Sequence, residues 1–89
     1  MIEIIKILKF EKLGGFRLRL VFSDGTIGEL DFSDIVAKGG PMVEPLRSRK
    51  FFARAFLQLG TLTWPNGFDL DSIALHDEMK KAGLLRRAA

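Results

Sequence analysis

The sequence predicts an α+β fold: an antiparallel three-stranded meander followed by short helices, a small hairpin and a C-terminal helix. Three observations predict this order. Residues 16–22 alternate apolar and polar side chains, as a strand with one buried face does. Glycine-containing turns flank that strand on both sides. The last third of the chain carries an apolar stripe at helical spacing, which ends before Gly83.

The composition fits one small domain, residues 1–89. Hydrophobic residues make up 47% of the chain, which indicates a globular rather than a disordered protein. The absence of cysteine excludes disulfides and thiolate metal sites, and we expect a cytoplasmic protein. No apolar run is long enough to span a bilayer, so we expect no membrane association. The net charge of +3 comes from blocks of alternating sign, which are typical of solvated faces.

The second turn of the meander is predicted from its effect on strand pairing. A two-residue loop would set Leu20 opposite Glu29, whereas a three-residue loop at 23–25 pairs side chains of matching character. That loop requires Gly25 in the left-handed region. The pairs that it predicts are Leu18–Leu30, Phe16–Phe32, Arg19–Glu29 and Arg17–Asp31.

The same argument applied to the first turn favours a three-residue loop at 13–15. The pairs that it predicts are Phe10–Leu18, Leu8–Leu20 and Glu11–Arg17. The core face of the meander would then consist of Leu8, Phe10, Leu18, Leu20, Leu30 and Phe32. The outer face would carry a charged row, Glu11–Arg17–Asp31, and an apolar row, Ile7–Val21–Ile27, with Ile5 adjoining.

The apolar row is the first candidate functional surface. A sheet face in contact with water normally carries polar side chains, so we expect something to cover this row. One possibility is the final helix, through Ile73, Leu75 and Met79. The other is a partner, either a second copy in a homodimer or a cognate protein. The candidate partner interface consists of Ile5, Ile7, Val21 and Ile27.

The elements predicted after the meander are a helical turn at 34–38, an extended segment at 43–46, a helix from Ser48 to about Ala55, strands at 56–59 and 61–64, and a helix at about 72–82. Ser33 and Ser48 are plausible N-caps of the two short helices. Glycines and a proline at 39–41 end the first helix, and Pro45 favours an extended residue before it. The stripe of the last helix comprises Ile73, Leu75, Met79 and Ala82.

The stretch "LTWPNGFDLDS", residues 62–72, is predicted to be a turn followed by a helix cap. Pro-Asn-Gly favours a turn, Trp64 is expected to be substantially buried, and Asp71, or else Ser72, is the natural N-cap. Asp69 and Asp71 also complement the positive end of the helix dipole. The spacing does not match a calcium loop, and His76 is expected at the surface or core edge. We therefore predict no catalytic residue, no metal and no cofactor.

Three stretches resemble the small bacterial domain-of-unknown-function family 2442: "VFSDGTIGELDFSDI", "PLRSRKFFARAFL" and "LTWPNGFDLD". The residues that carry the pattern are Phe22, Asp24, Gly25, Leu30, Asp31, Pro45, Leu46, Phe51, Trp64, Pro65, Asn66, Gly67 and Asp69. The resemblance implies a small α+β domain with no known catalytic residue. Members occur alone or joined to a helix-turn-helix. Many are encoded beside a small partner of another uncharacterised family and are suspected antitoxins.

The leading functional hypothesis is a non-enzymatic protein-interaction module. In its more specific version, the chain is the antitoxin-like half of a bacterial two-protein pair. The alternative is a small nucleic-acid-binding or transcription-associated regulator. Its candidate contacts are Arg47, Arg49, Lys50 and Arg54, with the basic C-terminal residues Lys80, Lys81, Arg86 and Arg87. An enzyme is the least favoured class, and no small-molecule substrate is inferred. It would require a pocket that holds at least two of Asp24, Asp69, Asp71 and His76 with shifted pKa values.

Overall fold

The computed structural model describes residues 4–88 and has an α+β fold, which confirms the predicted class. Its elements are β1 (Ile7–Gly14), β2 (Arg17–Phe22), β3 (Thr26–Asp31), α1 (Ser33–Lys38), a 3-10 turn (Glu44–Arg47), α2 (Arg49–Phe52), β4 (Phe56–Gln58), β5 (Thr61–Thr63), β6 (Asp69–Leu70), α3 (Ser72–Lys81) and β7 (Arg86–Arg87). Within this part of the chain, no helix is both long enough and apolar enough to cross a membrane.

The strands form two antiparallel sheets. One has the order β1-β2-β3-β7 and the other the order β4-β5-β6. The sequence predicts the β1-β2-β3 meander and the β4-β5 hairpin but neither of the two-residue strands. β7 follows α3 and lies beside β3, where Arg87 pairs with Thr26 and Arg86 with Ile27. The chain after the last helix therefore extends the meander to four strands.

The β2–β3 register is the predicted one. Leu18 pairs with Leu30 and Arg19 with Glu29, as a three-residue loop requires. The other two predicted pairs are also present. Arg17 lies directly opposite Asp31, and the backbone N–H of Phe32 donates a 2.8 Å hydrogen bond to the carbonyl of Phe16. Gly25 has a φ of 86°, in the left-handed region that this loop requires. The match of side chains across these two strands therefore predicted the length of the turn between them.

The predicted β1–β2 register is wrong. The structure pairs Phe10 with Leu20 and Glu11 with Arg19. The chain turns at 15–16 instead of 13–15, and an irregularity between Lys12 and Gly14 shifts the pairing by one residue. Between Ile7 and Lys9 the pairing advances by two residues on β1 and by one on β2, from Phe22 to Val21. Leu8 is thus the extra residue of a β-bulge.

The bulge reverses which side chains of β1 face the core. Before it, Ile5 and Ile7 are buried in the main hydrophobic cluster, at 8% and 2% exposure. Leu8, predicted to lie in the core, is 62% exposed. The prediction that Ile5 and Ile7 adjoin Val21 on the outer face is therefore wrong, because the extra residue turns both side chains to the core face. The changed register after the bulge sets Lys9 opposite Val21.

The charged row on the outer face is displaced by the changed register at the first turn. Arg19, and not Arg17, lies between an acidic residue on β1 and one on β3. Its Nη1 is 3.0 Å from Glu11 Oε2 and its Nε is 3.2 Å from Glu29 Oε2. Arg86 Nη2 lies 3.1 Å from the same oxygen of Glu29. An alternating row of charges, Glu11–Arg19–Glu29–Arg86, therefore crosses the four-stranded sheet.

Trp64 lies in the core, as predicted. It is 1% exposed, and its indole N–H donates a hydrogen bond of 2.9 Å to the carbonyl of Phe52. Its ring lies between those of Phe52 and Phe68, with centroid distances of 5.6 and 5.7 Å. The other buried hydrophobic residues are Ile5, Ile7, Leu18, Leu20, Phe22, Phe32, Val36, Leu46, Phe52, Ala55, Leu62, Leu75 and Met79.

Helix α3 packs on the core face of the sheet. Its Leu75 and Met79 are buried, and Met79 Cε lies 3.0 Å from the position that a Cβ would occupy on Gly28. Gly28 pairs with Leu20, which belongs to the core face. The expectation that α3 covers the outer face is therefore wrong. Ile73, predicted in the buried stripe, is 46% exposed.

Three predictions for the middle of the chain need correction. The hydroxyl of Ser33 does not cap α1 but donates a hydrogen bond of 2.5 Å to Asp31 Oδ1. Glu44–Arg47 forms a 3-10 turn instead of an extended segment, since Pro45 lies in the first turn, where its missing N–H is not needed. Ser48 does cap α2, by accepting from a backbone N–H at 3.4 Å, but this helix ends earlier than predicted.

The Pro-Asn-Gly turn and the cap that follows it are confirmed. Gly67 has a φ of 90°, and its N–H donates to the carbonyl of Trp64 at 2.9 Å. The side chain of Asn66 donates to the carbonyl of Met42 at 2.9 Å, which ties the turn to the preceding loop. Asp71 is the N-cap of α3, where Oδ1 accepts from a backbone N–H at 3.2 Å. Asn66 and Asp71 thus have structural roles.

Candidate functional site

The outer face of the meander contains a depression of about 160 Å³. We call its lining residues the outer patch: Lys9, Phe10, Glu11, Arg19, Val21 and Ile27. Val21 on β2 lies between Lys9 on β1 and Ile27 on β3, and both apolar side chains are only half-buried. Leu8, at the bulge, is the exposed neighbour of Lys9. The outer patch is thus an apolar centre beside residues of both charges.

Ion pairs fix the charged side chains around this centre. Hydrogen bonds from Arg86 and Arg19 lower the pKa of Glu29 below its usual 4.5, so this carboxylate stays ionised at neutral pH.

Two of the four predicted interface residues, Val21 and Ile27, lie on this face. The other two, Ile5 and Ile7, are core residues. Leu8 was assigned to the wrong face, and its position directly after Ile7 was the available signal.

The four candidate nucleic-acid contacts between residues 47 and 54 do not form one surface. Arg47 Nε donates to the carbonyl of Val36 at 3.5 Å, on the α1 side of the molecule. The guanidinium of Arg54 lies 5.9 Å from the ring centre of Phe51. Arg49 instead faces β1 and β2. Lys50 is exposed like the other three, as the sequence predicts.

Arg49 lines a groove of about 260 Å³ that the sequence analysis missed. We call it the basic groove, and its lining residues are Lys12, Gly14, Gly15, Arg17, Leu18, Arg49, Phe52 and Ala53. Three cationic residues line the groove, from β1, β2 and α2, and the lining contains no acidic residue. Arg49 is far from Lys12 and Arg17 in the sequence, so only the fold brings it to the first hairpin.

A third cluster joins the β2–β3 loop to α3. His76 Nε2 lies 2.8 Å from Asp24 Oδ2, and the imidazole meets the Phe22 ring edge-on at 5.0 Å between centroids. Asp24 also accepts hydrogen bonds from the backbone N–H and the hydroxyl of Thr26, at 3.1 and 2.6 Å. The prediction that His76 lies at the surface or core edge is confirmed, because its side chain is half-buried.

The electrostatics of this cluster favour an ionised carboxylate. Burial raises the pKa of Asp24, but the hydrogen bonds from Thr26 and His76 outweigh burial and leave the pKa below its usual 3.8. The cluster lines a cleft of about 360 Å³. The other lining residues are Lys80, Leu85, Arg86 and Arg87. Asp24 and His76 thus do share a cleft, as an enzyme would require.

The arrangement nevertheless has a structural explanation. Thr26, the only hydroxyl in this lining, donates to Asp24 rather than facing His76 as a nucleophile would. Asp69 and Asp71 do not line the cleft. Among residues 4–88, no group of three or more His, Asp or Glu side chains could hold a metal ion. The contact between Asp24 and His76 fastens the loop to the helix.

Comparison with known proteins agrees with the resemblance in the sequence. Neither curated proteins nor solved structures give a match. One family model matches residues 9–81, most of the 89-residue chain, from β1 to the end of α3. The matched segment includes the β2–β3 loop, α2 and the Pro-Asn-Gly turn, which carry the quoted motifs. The chain therefore belongs to the family described as protein of unknown function (DUF2442).

Proposed function

We propose that the chain is a protein-interaction module that acts in the cytoplasm as the antitoxin-like half of a bacterial two-protein pair. The observation that carries the proposal is the uncovered outer patch. Val21 and Ile27 remain half-buried on this face, while α3 packs on the opposite one. No other part of residues 4–88 fills the depression. The two-protein form rests on what the family resemblance implies.

The chemistry of the outer patch and of the adjoining Leu8 defines the kind of partner. Leu8 is 62% exposed, and burying a whole leucine side chain yields about 1.5–3 kcal/mol, so a partner that covers it gains a substantial part of that free energy. Glu11, Arg19 and Glu29 surround the apolar centre with alternating charge. A fitting partner is a protein chain that presents apolar side chains to the depression and charges of both signs around them.

The test is copurification with the product of the neighbouring gene. The tagged chain would be expressed with that product at native levels, as wild type and as the variants Leu8→Lys and Val21→Lys. We expect a stoichiometric complex with the wild type, and loss of the complex in both variants without loss of folding. Ile73→Lys is the matched control, because Ile73 is also an exposed apolar residue but lies on α3.

Two outcomes would contradict this proposal. One is a complex that survives Leu8→Lys and Val21→Lys unchanged, which would place the interface elsewhere. The other is a wild-type chain that remains a monomer at high concentration and does not bind the neighbouring product. Association of the chain with itself, lost in the same variants, would instead assign the outer patch to a homodimer.

A nucleic-acid-binding regulator is the second candidate. The supporting observation is that Arg49 and Lys50 on α2 are exposed and form no ion pair among the described residues. Binding through phosphate contacts should weaken steeply as salt rises. Retention on duplex DNA or RNA at low salt, reduced in Arg49→Gln and Lys50→Gln, would favour this candidate. A chain that is not retained even at low salt would dismiss it.

A further inference from the structure

We propose that the basic groove is a binding site for a phosphomonoester. Its three cations reach it from three elements: Lys12 from β1, Arg17 from β2 and Arg49 from α2. This site is separate from the outer patch and does not depend on the protein-interaction proposal.

Two of these cations, Lys12 and Arg49, lack counter-charges of their own, since neither forms an ion pair among residues 4–88. Arg17 lies opposite Asp31 in the β-ladder. Hydrogen bonds from Ser33 and the charge of Arg17 lower the pKa of Asp31, so this carboxylate partly balances Arg17. Like charges that line one groove repel each other. A bound anion would remove that repulsion.

The number and type of the cations favour a dianion. The guanidinium of Arg49 offers a forked donor that matches the oxygens of a phosphate, and Lys12 adds a second uncompensated positive charge. A phosphomonoester carries about −1.5 to −2 charge at neutral pH, whereas a carboxylate carries a single charge. The two uncompensated cations are therefore better balanced by a phosphomonoester.

The turn between β1 and β2 leaves room for the phosphate. A Cβ added to Gly14 or Gly15 would meet no atom within 4 Å, so the space beside this backbone is open. The floor of the groove is apolar: Leu18 and Phe52 belong to the core, and Ala53 is half-buried. The group that carries the phosphate would therefore contact apolar atoms. We expect an apolar or aromatic phosphomonoester to bind more tightly than inorganic phosphate.

The test is an NMR titration of the full ¹⁵N-labelled chain at neutral pH and constant ionic strength. The amide signals of Gly14 and Gly15 report on the groove, and the probes are phenyl phosphate and inorganic phosphate. We expect saturable shifts of both signals, with phenyl phosphate saturating at the lower concentration. Arg49→Gln should weaken this binding about tenfold or more, since it removes a charge-assisted hydrogen bond. Arg54→Gln is the matched control and should bind as the wild type does.

Three results would overturn the inference. The first is the absence of a saturable shift in the wild type. The second is equal affinity in wild type and Arg49→Gln, with Lys12→Gln as a second variant should the first be misfolded. The third is saturation of the same two amides by a short oligothymidylate at lower concentration than by phenyl phosphate. That result would assign the groove to a nucleic-acid backbone.

Discussion

Replacing Gly28 by alanine should destabilise the protein, although Gly28 has no unusual φ. The added Cβ would lie 2.5 Å from the carbonyl oxygen of Leu84, 3.0 Å from Met79 Cε and 3.1 Å from Leu85 Cδ2. The two side chains could move, but the carbonyl belongs to the backbone. Its residue is fixed by a hydrogen bond of 2.9 Å from the Leu84 N–H to the Met79 carbonyl. Relief therefore requires the segment between α3 and β7 to shift.

The magnitude follows from the cost of overpacking. An extra methyl group in a well-packed core costs about 1–3 kcal/mol. In a domain of this size, each kcal/mol lowers the melting temperature by about 4–8 °C. The loss is a large part of the 5–15 kcal/mol that typically separates folded from unfolded states.

The assay is urea and thermal unfolding of Gly28→Ala, Leu85→Ala and the double variant. If the Leu85 side chain were the obstacle, its truncation would rescue Gly28→Ala. Because the closest atom is a backbone oxygen, we expect no rescue. A melting temperature of Gly28→Ala indistinguishable from that of the wild type would refute the close contact. So would full rescue in the double variant.

Three further predictions concern single side chains. Ile7→Ala should cost about 2–5 kcal/mol of unfolding free energy, whereas Leu8→Ala should change it by no more than about 0.5 kcal/mol; equal losses in urea unfolding would contradict the bulge. Trp64→Phe should cost at least about 1–3 kcal/mol, because it leaves the buried Phe52 carbonyl unpaired; an unchanged urea midpoint would be inconsistent with that hydrogen bond. Folding lowers the pKa of Asp24, so its carboxylate contributes stability that is present above the usual value of 3.8 and is lost as pH falls through the folded pKa. The melting temperature of Asp24→Asn should therefore fall less below pH 3.8 than that of the wild type, and parallel acid profiles would exclude this contribution.

The sequence was sufficient where one local choice decided many pairs. In the β2–β3 hairpin, a two-residue loop would have moved Leu20 opposite Glu29 and mismatched the neighbouring pairs in the same way. The N-cap at Asp71 and the burial of Trp64 were equally local: each follows from residue type and from an adjacent turn. Such features depend on neighbours in the sequence, which is why they could be predicted.

The faces of β1 were predicted wrongly because its apolar pattern is compatible with two alternations. Ile5 and Ile7 follow one alternation, and Leu8 and Phe10 follow the other. Two apolar residues in succession, Ile7 and Leu8, mark the change between them. A β-bulge is the structural form of that change. Continuing the alternation of Phe10 back through Leu8 placed Ile5 and Ile7 on the wrong face.

The sites were less predictable because they are assembled by packing. Arg47 and Arg54 belong to one basic stretch, but α2 is only four residues long and cannot align a block of this length on one face. Arg49 instead meets residues of the first hairpin. His76 and Asp24 are 52 residues apart, and only the docking of α3 against the β2–β3 loop brings them together.

The hydrogen bond from the Ser72 hydroxyl to the Ile5 carbonyl, 2.7 Å long, joins residues 67 positions apart, and this separation bears on how the chain folds during synthesis. The two hairpins of the meander are local and can form early, but their core face still lacks α3. Until Leu75 and Met79 have emerged from the ribosome, Leu20 and its neighbours remain open to water. Nascent chains that stall before Ser72 should therefore be prone to aggregation, because α3 is needed to cover this face.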